Sequence, residues 1–294
     1  MCFIAVNRMM TVDCVVMVWI MTGHHGDDWC LRSIFVITQK MAATKLRVVV
    51  LSPEFHDDLD VWRWLVSDGL SRCGATLSSP VYQLVLRPPT LSLFSDASGV
   101  AVGGYCLETA LWWRYDMSDA ERARFKGSTV HTEDDISINV LELLGMVMSA
   151  WVVFILGGHR PRRPADCVLL RGDNSSAVTW VNKCRGGKEP RSGALIRMLG
   201  LLEIDSGWVF EAKHVPGILN DVADGISRWP LKDVSSNLLS RRPDVRWQMQ
   251  DLGSEGRHLC SCILAAGSSE RPLRRRLREL TKDILGRGFS SGAR

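Results

Sequence analysis

Apolar and polar positions alternate along residues 91–98, and this alternation predicts a half-buried β-strand. Two more short apolar segments follow, at residues 100–107 and 111–115. We expect the three segments to pair as an antiparallel meander. Gly103 and Gly104 lie inside the second segment, where glycines indicate a bulge or the close approach of another part of the chain.

A long helix is predicted at residues 136–155, which are apolar on nearly every side, so we expect a buried, central helix. The pattern then predicts a strand at 168–170, helices at 175–183 and 192–204, a strand at 208–215, and a helix at 220–228. This order predicts an α/β fold, in which a five-stranded mixed sheet carries helices on both faces.

The residues before and after this α/β pattern do not continue its alternation of strands and helices. Residues 1–45 show apolar runs without clear periodicity, and a predicted strand and helix follow before Pro88. Residues 232–294 hold 13 Lys and Arg against 7 Asp and Glu, and a basic amphipathic helix is predicted at 269–286. We therefore predict three parts: an N-terminal segment (1–88), a central domain (89–230) and a basic C-terminal extension (231–294).

Composition narrows the class of protein. A chain of 294 residues that is 46% hydrophobic can bury a full core. Its nine cysteines form no Cys-x-x-Cys pair, which indicates reduced thiols and an intracellular location, cytoplasmic or nuclear. The alternate spacing of His258, Cys260 and Cys262 suits a tetrahedral zinc site poorly. The apolar run at 14–22 is too short to cross a bilayer, so we expect no membrane association.

Four acidic residues stand where the predicted elements would bring them together: Asp96, Glu142, Asp173 and Asp224. Neighbouring parallel strands end at one edge of a sheet, where α/β proteins place their sites. Four carboxylates at one edge would repel each other unless cations neutralise them, and oxygen ligands select Mg²⁺ or Mn²⁺. Two such ions about 4 Å apart can catalyse phosphodiester cleavage.

Each acid also has a simpler interpretation, as a surface charge or a helix cap. Asp173 is well placed to cap the helix after it, and Asp221 could replace Asp224 as the ligand. Two acidic pairs elsewhere are weaker candidates. Asp57 and Asp58 are similar to the acidic turn of polymerase palms but lie in an amphipathic helix, and the pair at 134–135 is typical of a helix start.

Several motifs resemble those of one family. They are Ser95-Asp96-Ala97-Ser98 before a glycine-rich strand, Asn139-Val-Leu-Glu142, Gly172-Asp173-Asn-Ser, and His214-Val-Pro-Gly217 followed by Asn220 and Ala223-Asp224-Gly-Ile-Ser-Arg228. Residues 91–228 resemble a type 1 ribonuclease H domain, as found behind the reverse transcriptases of retrotransposons. The last motif is the most specific, because its residues follow the order and spacing of the family.

The resemblance implies a ribonuclease-H-like fold and a nuclease that cuts the RNA strand of RNA–DNA hybrids. It implies that two Mg²⁺ or Mn²⁺ ions are held by Asp96, Glu142, Asp173 and Asp224, with His214 assisting proton transfer or product release. It implies nucleic-acid contacts for Ser98, Asn139, Asn174 and Asn220. Of these, Asn139 would reach the minor groove, and the alternative role for Asn220 is to hold the last helix or the loop in place.

The resemblance also implies a larger context. The N-terminal segment is similar to the linker between a retroelement polymerase and its nuclease, so a polymerase domain is the expected partner in a longer polyprotein. Between Asp173 and Asp224 the chain lacks the extra basic helix that some cellular members use to grip the hybrid. Two alternatives stay open: an inactive module that only binds nucleic acid or braces a polymerase, and a transposase or integrase on the same fold.

Overall fold

The computed structural model of the chain describes residues 88–127, 132, 134–159, 166–187, 189–206 and 208–265. All of them belong to one compact unit, Leu86–Gly288. The predicted strand and helix before Pro88, and the predicted basic helix at 269–286, lie outside the described residues.

A single mixed sheet forms the centre of this unit. Its strands are β1 (Pro89–Ala97), β2 (Ala101–Cys106), β3 (Leu111–Asp116), β4 (Cys167–Gly172), β5 (Val209–His214) and β6 (Gln248–Met249). Their order across the sheet is β5-β4-β1-β2-β3-β6. The first three strands pair antiparallel, as predicted, whereas β4 runs parallel to β1, and β5 runs parallel to β4. The sheet has one strand more than the five predicted, because the two-residue β6 adds parallel to β3.

Seven α-helices are described. They are α1 (Asp119–Arg124), α2 (Ile138–Trp151), α3 (Ser175–Asn182), α4 (Pro190–Ser206), α5 (Asp221–Arg228), α6 (Leu231–Arg241) and α7 (Gly253–Ala265). A π-helical turn, Val152–Leu156, continues α2, and a 3₁₀ turn, Gly217–Leu219, precedes α5.

The helices cover both faces of the sheet, and the two glycines of β2 show how closely they approach. A methyl group on Gly103 would lie 2.5 Å from the Ile226 side chain of α5. A methyl group on Gly104 would lie 2.5 Å from Ser149 Oγ of α2. Because successive residues of a strand point to opposite faces, α5 and α2 lie on opposite sides of β2.

The central helix α2 is buried along most of its length, as its composition predicts. The stretch Ile138–Leu156 is long and apolar enough to cross a membrane, yet 83% of it is buried inside the protein. Its buried Ser149 hydroxyl accepts a hydrogen bond from the indole Nε1 of Trp113 at 3.1 Å. A helix with these properties is a core helix that packs against the sheet.

A second apolar cluster lies on the other face of the sheet and joins residues after 230 to the domain. Its buried members are Tyr105, Trp112, Ala223, Ile226, Val234 and Leu238, from β2, β3, α5 and α6. Helix α7 packs on α4, and the guanidinium of Arg124 donates to the carbonyl oxygen of Leu264 at 2.7 Å. Residues 231–265, expected to be an extension, therefore belong to the same unit as the sheet.

The segment before α2 differs from its prediction. Residues 118–135 contain the short helix α1, which begins with a capping box formed by Ser118 and Glu121. Helix α2 begins later than the acidic pair at 134–135, because Ser137 is its N-cap and accepts a hydrogen bond from the Val140 amide. The buried guanidinium of Arg191 donates to the carbonyl oxygens of both acidic residues, which fixes them in a loop.

The close approach at β2 generates a prediction about stability. In the variant Gly104→Ala the new methyl group would also lie 2.6 Å from the carbonyl oxygen of Phe94, so backbone must shift. We expect this change to lower the free energy of unfolding of the full chain by about 1–3 kcal/mol in urea denaturation. The matched control is Gly193→Ala in α4, where a methyl group meets nothing within 4 Å. This control should raise stability by about 0.5–1 kcal/mol. A neutral Gly104→Ala variant would contradict the packing described.

Candidate metal centre

Three of the four predicted acids meet at one edge of the sheet. Asp96 lies near the end of β1, and Asp173 directly follows β4. These strands are parallel neighbours, so their carboxyl ends lie side by side. Glu142 reaches the same edge from the second turn of α2, and one oxygen from each of the three carboxylates lies within 4.8 Å of the others.

Burial makes this cluster electrostatically costly. The residues Asp96 and Glu142 are 2% and 3% exposed. The pKa of Asp96 is raised from 3.8 to about 7, and desolvation is the largest cause. The hydrogen bond from Ser227 opposes this rise, whereas the charges of Asp173 and Asp224 add to it. Desolvation also raises the pKa of Glu142 well above its usual range, and the nearby carboxylates add to that rise. Without a cation, the fold therefore disfavours full ionisation of this cluster.

The hydrogen bonds of these acids do not use all of their carboxylate oxygens. Ser227 Oγ donates to Asp96 Oδ2 at 2.6 Å, and the Ala97 amide donates to Glu142 Oε1 at 3.2 Å. Glu142 Oε2 is buried and has no hydrogen-bond partner among the described residues. An unpaired buried acceptor facing other carboxylates suits a bound cation, and the all-oxygen donor set suits Mg²⁺ or Mn²⁺.

The fourth predicted ligand, Asp224, stands beside this cluster but outside it. Its Oδ1 accepts from Arg228 Nε at 2.5 Å, one turn further along α5. It is close enough to raise the pKa of Asp96, whereas the Arg228 charge lowers the pKa of both Asp96 and Glu142. In this structure the arginine is therefore the cation that partly offsets the buried acids.

The alternative ligand, Asp221, faces a different part of the surface. Its carboxylate pairs with the guanidinium of Arg241 from α6. It also lines a cavity of about 330 Å³ beside Tyr105 and Trp247, on the α5 and α6 side of the sheet. Of the two acids in α5, Asp224 is therefore the one placed beside the cluster.

The segment that begins at His214 also borders the cluster. The exposed His214 ends β5, where it pairs in register with Gly172, the residue before Asp173. A methyl group on Gly217 would lie 3.1 Å from Asp173 Oδ2. The turn after His214 thus forms one rim of the acid cluster.

Two asparagines form a second polar group beside Asp173. Asn174 Nδ2 donates to Asn139 Oδ1 at 2.8 Å, which joins the start of α3 to the first turn of α2. Asn174 Oδ1 caps α3 by accepting from the Ala177 amide at 3.0 Å. The N-cap is therefore Asn174, not Asp173 as the sequence suggested, and the aspartate carboxylate serves no cap.

Two of the predicted nucleic-acid contacts have a structural role instead. Asn220 is completely buried, and its Nδ2 donates to the carbonyl oxygen of Ser95 at 3.0 Å. Ser98 is also buried, and its Oγ donates to the carbonyl oxygens of Ala101 and Ser227. Both side chains connect strand β1 to its neighbours, because their polar atoms are turned into the fold. This position does not offer them to a nucleic acid.

Sequence reasoning gave no role to Ser227 and Arg228, although both belong to the motif that carried the resemblance. They lie three and four residues after Asp224, so they share its side of a helix. That spacing is the sequence signal that could have placed both residues near the predicted metal ligand Asp224. It could not indicate that Ser227 donates to an acid 131 positions earlier in the chain.

The chain was compared with models of protein families, with curated proteins and with solved structures, and none of these comparisons finds a match.

The burial of Glu142 generates a prediction about metal binding. In Glu142→Gln the amide can donate to the neighbouring carboxylates, and a buried charge is lost. The folded-state pKa of this carboxyl lies above its usual value, so its ionisation at pH 8 lowers the stability of the folded wild type. In the absence of divalent cations we therefore expect the variant to unfold at a higher temperature than the wild type. The rise in unfolding temperature that excess Mn²⁺ gives the wild type should be lost.

The control for this prediction is Glu211→Gln, which makes the same chemical change at an exposed position on β5. It should leave both unfolding temperatures as in the wild type. If Glu142→Gln kept the full Mn²⁺ response in differential scanning fluorimetry, Glu142 would not be a ligand.

Proposed function

We propose that the chain contains a metal-dependent endonuclease domain of the type 1 ribonuclease H class, which cuts the RNA strand of RNA–DNA hybrids. The acid cluster carries this proposal. Carboxylates from β1, α2 and the end of β4 present oxygens within 4.8 Å of one another, and two of the three are buried. A fold keeps such a costly arrangement where cations bind and act.

The arrangement of the sheet supports the proposal. The mixed α/β sheet has three antiparallel strands followed by two strands parallel to the first, with helices on both faces, and this arrangement brings the ends of β1 and β4 together beside α2. The additional strand β6 is the outermost strand of the sheet and pairs with β3, whereas the acids lie at the ends of β1 and β4. It therefore leaves the acid cluster unaltered.

In the proposed mechanism Asp96, Glu142 and Asp173 would hold Mg²⁺ or Mn²⁺, and Asp224 would join them once it is released from Arg228. The bound ions would supply an activated water and stabilise the leaving oxygen. The chain's own residues orient this chemistry. Ser227 holds the Asp96 carboxylate in place, and the Ala97 amide holds that of Glu142.

The residues around the cluster fit substrate binding and proton transfer. His214 is exposed at the end of β5 beside Asp173, and histidine is the side chain most often used for proton transfer near neutral pH. The linked amides of Asn139 and Asn174 stand on the same side as a polar pair. Amide groups can hydrogen-bond the 2′-hydroxyls by which proteins distinguish RNA from DNA.

In a longer polyprotein the natural partner of this domain would be a reverse-transcriptase polymerase domain, which makes the hybrid that the nuclease then degrades. Since the sequence between Asp173 and Asp224 shows no extra basic helix, such a neighbour would supply part of the positive charge that grips the hybrid.

The proposal predicts that the purified full chain cleaves a labelled RNA–DNA hybrid with Mg²⁺ or Mn²⁺ and leaves duplex DNA intact. In Asp173→Asn we expect the rate to fall roughly 10³-fold, because the loss of a ligand removes several kcal/mol of transition-state stabilisation. The matched control is Asp221→Asn, whose carboxylate pairs with Arg241 and not with the cluster. This control should keep most of the activity.

Two results would contradict the proposal in different ways. Full activity in Asp173→Asn would show that the acid cluster is not the active site. A wild-type chain that binds the hybrid but does not cut it in excess Mn²⁺ would favour a nucleic-acid-binding module without catalysis.

A further inference from the structure

Two large apolar side chains stand in solvent on the turn after His214. Ile218 is 84% exposed and Leu219 is 65% exposed. Among the residues that the structure describes, they are the most exposed of the large hydrophobic side chains, and they are neighbours in sequence. Isolated exposed leucines are ordinary, but an adjacent pair at the rim of a site calls for a partner surface.

The turn that carries this pair is anchored at both ends. Before it, the buried Val215 donates its amide to the carbonyl oxygen of Gly172 at 3.0 Å. After it, the buried Asn220 donates its side-chain amide to Ser95 and its backbone amide to the carbonyl oxygen of Gly217. The fold therefore holds the backbone of the turn in place without using the two apolar side chains.

The position of the turn indicates which ligand Ile218 and Leu219 would contact. The preceding residue, Gly217, lies so close to Asp173 that a methyl group on it would be 3.1 Å from the Oδ2 atom. A strand whose phosphate is held at the acid cluster would therefore pass directly beside Ile218 and Leu219. The sugar carbons and base edges of a nucleic acid are its apolar parts, and proteins often place apolar side chains against them in the minor groove.

We propose that Ile218 and Leu219 form an apolar substrate contact, which packs against the sugars and the minor-groove edge of the strand next to the phosphate held by the acids. This inference rests on the proposed function, since it takes an RNA–DNA hybrid as the ligand of the cluster. The contact adds affinity by removing apolar surface from water and leaves the chemical step unaltered. It therefore adds substrate affinity that does not depend on charge.

The test compares Ile218→Ser/Leu219→Ser with wild type in the full chain. We expect KM for hybrid cleavage to rise about tenfold with little change in kcat, because the contact exists before and during the reaction. The dissociation constant of the hybrid, measured with Ca²⁺ in place of Mg²⁺, should rise by a similar factor. The conservative variant Ile218→Val/Leu219→Met keeps the apolar surface and should behave as wild type.

A matched control makes the same kind of change away from the acids. Leu231→Ser/Leu239→Ser alters two exposed leucines of α6, which are 48% and 56% exposed. This control should leave KM and hybrid affinity unchanged. An equal effect in the control and in the Ile218 and Leu219 variant would show a general loss of surface hydrophobicity and would overturn the proposal.

The outcomes separate this inference from the proposed function. If wild type cleaves the hybrid and the Ile218 and Leu219 variant has the same KM and affinity, the contact is absent and the pair serves a protein partner. If wild type binds the hybrid without cleaving it, catalysis fails as a proposal, and the Ca²⁺ binding assay still decides the contact. A wild type that neither binds nor cleaves the hybrid overturns both.

Discussion

The structure depends on one unfavourable arrangement, the gathering of like-charged carboxyls at a buried sheet edge. Parallel pairing of β1 and β4 forces Asp96 and Asp173 together, and α2 adds Glu142 from above the sheet. The hydrogen bonds from Ser227 and the Ala97 amide, with the nearby charge of Arg228, offset part of the cost. What remains is a site with a raised affinity for protons, and a bound cation would be favoured for the same reason, because each neutralises a charge that the fold has removed from water.

The packing around the sheet keeps these acids in place. Helices α2 and α5 approach β2 from opposite faces, and only glycine leaves room for both at Gly103 and Gly104. Glu142 and Ser227 are carried by these two helices, so the close approach that fills the core also fixes the distances at the cluster. A loosened core would therefore alter the site even if every acid remained.

The sequence predicted the elements whose patterns are strong. Alternation identified the antiparallel strands, and the apolar composition of α2 identified a buried helix. It also predicted one cluster of four acids; Asp96, Glu142 and Asp173 do meet, whereas Asp224 lies beside them and pairs with Arg228. The sequence did not predict α1 or β6, which are short, or the helices α6 and α7, which lie in the part expected to be an extension. The roles of Asn220 and Ser98 likewise depend on tertiary contacts, which no local pattern encodes.

The hydrogen bond between Ser227 and Asp96 connects two positions that lie 131 residues apart in the chain. Because protein synthesis proceeds from the N-terminus, Asp96 leaves the ribosome long before the helix that orients its carboxylate. A nascent chain that ends before residue 224 has three of the acids but lacks Asp224, Ser227 and Arg228. Assembly of the centre is thus timed to the synthesis of helix α5, and a translation product truncated before this helix would carry the cluster only in an unfinished form.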